Sequence, residues 1–334
     1  MAAATPRAFN PLRAVFFCDV SASAAHHIRT WLEAGHHVAG CVISHRPHKA
    51  RWRRDRWCRL FAPAWSLRSV LGRANAPLIQ ATRNLEDPAF VAMVGSLGGA
   101  VLISHHFPQR IPDIVTSQCE HGGVNLHPSL LPQYRGPHPL ETMVLDRTWH
   151  QFGGVTLHRI VHAFDEGDVI AQARLPAHDL ANPEWSPIAH ARIGAELLIQ
   201  ALPAFCAGQV AASPQPVGTW RYARLTADDL ILSTKMQIED IALRAKVLGP
   251  LGKLYLHVGG RRYRIGGVAR SHRQAADAAV RVAPLSVEFD ACDGRIRLLR
   301  ENRLLRHMRD AQFVRRLRQL ACSTGRLDAN QHPP

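Results

Sequence analysis

Cysteine is scarce and poorly spaced for cross-linking in this 334-residue chain: seven residues, at 18, 41, 58, 119, 206, 292 and 322. An odd number with no CxxC spacing argues against a disulfide frame or a zinc ribbon, so reduced thiols in a cytoplasmic protein are expected. No apolar run reaches about 18 residues, so no membrane-spanning helix is expected. The 20 histidines include the adjacent pairs 26–27, 36–37 and 105–106, yet none shows metal-ligand spacing, and no metal is expected. The opening "MAAATPRAFNPLR" lacks the apolar centre of a secretory signal; it bears Arg and no acid, which leaves a transit peptide open. Acidic residues are few as well, 26 against 41 Lys and Arg, for a net charge of +15 and a pI near 10.5. That imbalance favours a polyanionic partner, most simply nucleic acid, unless it only reflects an Arg- and Ala-rich composition. The position of the charges has to decide.

Apolar residues (46%) and charged residues (20%) are in ordinary globular proportion, and the length allows two domains. "RAVFFCDV" (13–20) reads as a strand, "SASAAHHIRTWLEAG" (21–35) as a helix ending at Gly35, and "HHVAGCVIS" (36–44) as a second strand. Such a β–α–β opening begins a doubly wound, mainly parallel, Rossmann-like α/β sheet. The pattern breaks through 45–75. Strands are then expected at 77–81, 100–104 and 122–126, with helices at 87–99 and 111–119. A helix near 138–147 and a hairpin-like return over 153–177, turning at "FDEGD", precede a long helix at 185–208. Residues 209–219 are Pro- and Ser-rich and read as a linker between a first domain, 1–208, and a second, 220–321. Beyond one helix (236–248), the second domain shows short strands with turn signals, which suggests a small β-barrel, and a basic helix-like stretch near 307–321. Residues 322–334 are expected to be a disordered tail.

"NLHPSLLPQYRGPHP" (125–139) is too proline-rich for a helix or a central strand and must be a rigid loop at the carboxyl end of a strand. Asn125 and His127 occupy alternate positions of an extended segment and so share a face. An amide donor and an imidazole together could stabilise an oxyanion on an attacked carbonyl. A carboxylate such as Asp165 would keep that imidazole charged and receive a proton from an attacking amine. This is acyl transfer to an amine without a covalent enzyme intermediate. Spacing alone equally allows His127 merely to tie down the loop.

The order N-x-H-P-S-L-L-P, then "GVTLH", then "FDEGDVIAQ" resembles the folate-dependent formyltransferases, which include methionyl-tRNA, glycinamide ribonucleotide and sugar-amine enzymes. The resemblance implies the formyltransferase fold, 10-formyltetrahydrofolate as formyl donor, and Asn125, His127 and Asp165 as the catalytic trio, with Asp168 the neighbouring acid. It further implies a pterin site against the loop 105–112 (His106, Phe107, Gln109, Arg110, Ile111, Pro112), aided by Ser129 and Leu130. The acceptor would lie near Tyr134 and Arg135. The segments 221–233, 241–265 and 293–317 resemble the C-terminal barrel (OB-like) domain of the methionyl-tRNA formyltransferases.

In those enzymes an insertion after the second strand contacts the acceptor stem. Here "HRPHKARWRRDRWCRLFAPAW" (45–65) carries Arg46, Lys49, Arg51, Arg53, Arg54, Arg56 and Arg59 against Asp55, with Trp52, Trp57 and Trp65 interleaved. Arg51, Arg53, Arg54 and Arg56 are therefore candidate tRNA contacts, the alternative being a solvated basic helix with its tryptophans packed inward. Two departures stand out. "RGPHP" (135–139) replaces the usual R-G-A-A-P, which leaves an amino sugar nucleotide or another small amine as a rival acceptor. "CDVSAS" (18–23) lacks the glycine usual in the first turn, where Ser21 could instead cap the helix. A non-catalytic RNA-binding paralogue is the rival of another class. Oligomeric state is not legible.

Overall fold

The computed structural model describes residues 10–180, 186–258, 260–272 and 280–327. The opening nine residues and residues 328–334, within the expected tail, lie outside them. The chain divides into two compact units. The first comprises residues up to Arg135 together with Gly154–Leu175 and Ile188–Thr219; the second comprises Gly136–Gly153, Pro176–Pro187 and the chain from Trp220 onward.

The first unit opens with β1 (Arg13–Cys18), α1 (Ala22–Glu33) and β2 (His37–Ile43). The Ser21 hydroxyl accepts from the Ala24 amide at 3.1 Å and so caps α1. Gly35, at φ 86°, turns the chain out of the helix, a left-handed conformation that costs glycine nothing. Ala24, Ala25, His27, Ile28 and Trp31 form the buried stripe at helical spacing.

Where sequence periodicity failed, over 45–75, the chain forms α2 (Lys49–Phe61) and α3 (Leu67–Arg73) joined by a 3-10 turn at Pro63–Trp65. The failure has a physical reason. On α2 only Asp55 and Cys58 are fully buried, so no apolar stripe marks the helix. Asp55 is buried to accept from the Leu67 amide at 2.7 Å at the start of α3.

The remaining strands are β3 (Leu78–Gln80), β4 (Val101–His105), β5 (Gly123–His127), β6 (Gly154–Arg159) and β7 (Val169–Arg174), with α4 (Pro88–Ser96) and α5 (Asp113–Thr116) between them. They form one seven-stranded sheet in the order β3-β2-β1-β4-β5-β6-β7. The first five are parallel, β6 runs antiparallel to β5, and β7 runs antiparallel to β6. Along β1, Ala14, Phe16 and Cys18 enter one core and Val15 and Phe17 the other, as a strand buried on both faces requires. The order reverses between β1 and β4, the switch point at which α/β sheets present ligands at their carboxyl ends.

The second unit holds α6 (Pro139–Leu145), α7 (Trp149–Phe152) and α8 (Ala177–Leu180). The long helix α9 (Ser186–Cys206) belongs to the first unit from Ile188. The second unit continues with β8 (Ile231–Leu232), α10 (Ile238–Leu248), β9 (Leu254–Val258), β10 (Arg261–His272), β11 (Arg281–Val282), β12 (Ser286–Ala291), β13 (Gly294–Arg300) and α11 (Arg303–Leu327). Its sheet runs β11-β12-β13-β10-β9-β8 and is open. The described strands do not close the expected barrel. The two edges, β8 and β11, are two residues long, too short to carry a closing ladder. α11 reaches Leu327, into the segment expected to be disordered. Among the described residues no helix is long and apolar enough to cross a membrane.

Candidate active site

The register of β5 against β6 pairs Asn125 with His158 and His127 with Thr156. Thr156 anchors the proline-rich loop: its hydroxyl donates to the Ser129 carbonyl at 2.6 Å and accepts from the Leu131 amide at 3.0 Å. The loop then returns so that the Tyr134 carbonyl accepts from His127 Nε2 at 2.8 Å. The other ring nitrogen, Nδ1, faces Asp165 Oδ1 at 3.4 Å. Both partners are acceptors, so the imidazole satisfies them fully only as an imidazolium. Burial alone would push His127 below its ordinary 6.5. The Asp165 charge and hydrogen bond, with the Tyr134 carbonyl, outweigh burial and the opposing Arg135, and the net shift is upward.

His158 takes the opposite state. Burial drives it down to about 4, although Asp165 pulls the other way. Its Nδ1 donates to the Arg159 carbonyl at 2.9 Å, which leaves Nε2 to accept from Asn125 Nδ2 at 3.1 Å. The Asn125 amide is thereby oriented with its N–H groups inward, the second reaching Asp165 Oδ1 at 3.4 Å. Asn125 Nδ2 and His127 Nδ1 thus converge on one oxygen.

Asp165, not Asp168, supplies the carboxylate facing His127. It adopts φ 59°, a left-handed conformation that Asp tolerates better than most residues but that the surroundings must hold in place. Two residues on, a Cβ at Gly167 would overlap the Arg159 carbonyl, so the turn comes against β6 only with glycine there.

The other predicted residues are arranged less directly. Phe107 and Ile111 belong to the core, with Phe107 edge-on to Phe17 at a 5.2 Å centroid distance. Gln109 is occupied in tying the ends of neighbouring strands, accepting from the His45 amide and donating to the Thr82 carbonyl. His106 is exposed and stacks on His105, Arg110 is exposed beside His162, and Pro112 precedes α5. Ser129 is fully buried and donates to the Gln133 carbonyl, while Leu130 is half-buried. Tyr134 is buried and meets His127 through its carbonyl rather than its ring.

Arg135 bonds Gln215, and Arg51 pairs with Asp19 at 2.8 Å, at the end of β1. Arg53 and Arg56 line a separate surface groove of about 380 Å³ with Trp52, Asp55, Arg59 and Arg68, and Arg54 is exposed on the same helix. Trp65 is buried and stacks on His26, which leaves Trp52 and Trp57 as the half-buried aromatics of the insertion.

Sequence reasoning missed two participants. His158 is the last residue of "GVTLH" and could have been found by pairing that strand with "GVNLH", because the register sets it opposite Asn125. Gln215 carried no signal in its Pro- and Ser-rich surroundings.

Known proteins similar to this chain fall within one family. Methionyl-tRNA formyltransferase from Listeria monocytogenes serotype 4a is 35% identical over 129 residues, 39% of this chain and 41% of that one. Its counterpart from Chloroflexus aurantiacus is 30% identical over 201 residues, 60% of this chain and 62% of that one. The matches therefore span less than two thirds of these relatives. Among solved structures, HypX from Aquifex aeolicus in complex with tetrahydrofolic acid superposes with a TM-score of 0.62 at 15% identity, over 86% of this chain and 44% of that one. A sugar N-formyltransferase from Shewanella superposes with a TM-score of 0.55 at 16% identity, over 76% of this chain and 96% of that one. These likenesses speak to the fold. The formyl transferase family model matches residues 13–184, the stretch that carries Asn125, His127, His158 and Asp165, and the chain belongs to the formyl transferase family.

Proposed function

We propose that this protein is an N-formyltransferase that moves a formyl group from 10-formyltetrahydrofolate to an acceptor amine, with methionyl-tRNA as the acceptor. The observation that carries the reading is the convergence of Asn125 Nδ2 and His127 Nδ1, each 3.4 Å from a single oxygen of Asp165. An amide N–H and an imidazolium N–H directed at one point suit a carbonyl oxygen that gains negative charge. The donor set therefore fits an N-formyl group, which is what 10-formyltetrahydrofolate supplies.

In this reading the formyl oxygen enters beside Asp165 Oδ1 and shares with it the Asn125 and His127 N–H groups, whose contacts to Asp165 are long at 3.4 Å, while the amine adds to the carbonyl carbon. Asp165 keeps His127 charged, takes the proton that the amine sheds, and returns it as the C–N bond to the donor opens. His158 keeps the Asn125 amide facing the right way. His106, Arg110 and the backbone of 105–112 are the pterin contacts. Arg53, Arg54 and Arg56 are the tRNA contacts, and Arg51 assists where Asp19 leaves it free. The reading treats residues 1–208 as the catalytic domain and 220–321 as an OB-like barrel in outline, open at β8 and β11. It also places the protein in the cytoplasm.

One observation favours a second acceptor. "RGPHP" departs from the expected pattern where the acceptor would enter, and an amino sugar nucleotide is the alternative amine; an N-formyltransferase from Helicobacter canadensis has been solved with folinic acid and dTDP-3-aminofucose. The deciding experiment supplies radiolabelled 10-formyltetrahydrofolate to the purified chain with charged initiator tRNA or with a panel of amino sugar nucleotides. Label on the methionine amine supports the first reading, label on a sugar amine the second, and label on neither overturns both.

A further inference from the structure

Outside the trio, one side-chain amide makes four hydrogen bonds. Gln215 lies in the Pro- and Ser-rich segment after α9 and is half-buried. Its Oε1 accepts from Arg135 Nε at 3.1 Å and Nη2 at 2.7 Å. Its Nε2 donates to the carbonyls of Asp165 and Gly167, both at 2.8 Å. An amide offers two N–H groups and two lone pairs, so every group is used and the orientation is unique. The segment is itself pinned, since Ser213 and Val169 exchange two backbone hydrogen bonds of 2.8 Å. Arg135 also meets Glu166, inside the same turn, at 3.4 Å.

We propose that Gln215 is a positioning residue of the active site: anchored by Arg135, it grips the turn through the Asp165 and Gly167 carbonyls and so holds the Asp165 carboxylate against His127. The proposal rests on the reading of Asn125, His127 and Asp165 as the catalytic trio. It has a physical basis in the backbone. Asp165 is left-handed, a conformation that persists only where neighbours enforce it. Among the described residues, Gln215 side-chain bonds reach the carbonyls on both sides of Glu166.

The consequence for His127 follows from the groups that face it: Asp165 from the β6–β7 turn, His158 from β6, Arg135 from the loop after β5 and His106 from the end of β4. Of these, only Asp165 is an anion. If its carboxylate moves off, only the Tyr134 carbonyl still opposes burial and Arg135, and the imidazolium loses its proton at lower pH.

The test uses the full chain, labelled with ¹⁵N-histidine, and follows the His127 imidazole by NMR as pH is varied. In Gln215→Ala the His127 pKa is expected to fall by about one unit or more. The turnover number should drop by about tenfold to a hundredfold, while the Michaelis constants change by less than about threefold. Gln215→Met keeps the side-chain length without its hydrogen bonds and carries the same expectation should the alanine variant fail to fold. Val217→Ala, at a fully exposed position two residues on, serves as the control and should leave the His127 titration unchanged. An unaltered His127 pKa in a folded Gln215 variant overturns the proposal. A lowered pKa in a chain that transfers no formyl group supports the positioning role and counts only against the proposed reaction.

Discussion

His127 is bracketed by an acceptor on each ring nitrogen, which favours its protonated form and moves its pKa upward from the ordinary 6.5. On the proposed mechanism, removing it, or removing the Asn125 amide, deletes one of two donors to the developing oxyanion. His127→Ala and Asn125→Ala should each lower the turnover number by about a hundredfold or more, measured by steady-state formyl transfer on protein whose fold is checked by circular dichroism. Asp165→Asn belongs with them because it removes the charge that keeps the imidazole protonated. The pH profile follows from the same interactions. The folded His127 pKa lies above 6.5, so its proton, and the activity that needs it, is present below that value and lost as pH rises through it. The acceptor amine must be neutral, which removes activity on the acid side. A bell-shaped profile is therefore expected, and a rate that climbs steadily with pH would exclude a cationic His127. At this scale the three residues that converge were legible in the motif order. The partners that set its charge states were not, because Tyr134 acts through a carbonyl and His158 through cross-strand register.

The turn between β6 and β7 and the helix α2 are the elements whose local chemistry decides most. Gly167 allows the turn to come against β6, and an added methyl group would meet the Arg159 carbonyl. Gly167→Ala should cost about 1–3 kcal/mol of stability, read from denaturant unfolding. It should also lower turnover, because the strain is relieved by moving the turn that carries Asp165. On α2, Arg51 is tied to Asp19, whose carboxyl burial raises and Arg51 opposes, so its removal would leave a poorly solvated acid. The cleaner test for RNA binding is therefore the triple variant Arg53→Gln, Arg54→Gln, Arg56→Gln. If these residues neutralise tRNA phosphates, the log–log salt dependence of binding should flatten by roughly 0.7–0.9 for each phosphate that is no longer neutralised, with the folate Michaelis constant unchanged. An unchanged salt slope would remove α2 from the interface. The basic stretch was plain in the sequence, but its helices were not, since a helix that buries an aspartate and a cysteine shows no apolar period.

For the first unit as a whole, buried histidines tie stability to pH. His27 and His105 are held well below 6.5 by burial, and His158 lies at about 4. As pH falls below 6.5 the unfolded chain takes up these protons before the folded chain does, so stability declines by up to about 1.4 kcal/mol per unit for each group. His127 works in the opposite sense, its contribution being complete below 6.5 and lost as pH rises through its raised folded value. His26, lowered to about 3, and His36 and His106 act in the same direction, so the lowered histidines outweigh the one raised, and the unfolding midpoint should fall by several degrees between pH 7 and pH 5, measured by calorimetry.

What the sequence determined by itself was local: the β–α–β opening with its Ser21 cap and Gly35 exit, the rigid loop after β5, and the order of motifs bearing Asn125, His127 and Asp165. Such features depend on hydrophobic period and turn chemistry over a few residues. Tertiary structure decided which residues far apart in the chain meet. Examples are His158 opposite Asn125, Gln215 on the Asp165 turn, and the open second sheet with its short edges. The reason is that strand register and the return path of a loop are set by packing between distant segments, which no local pattern records.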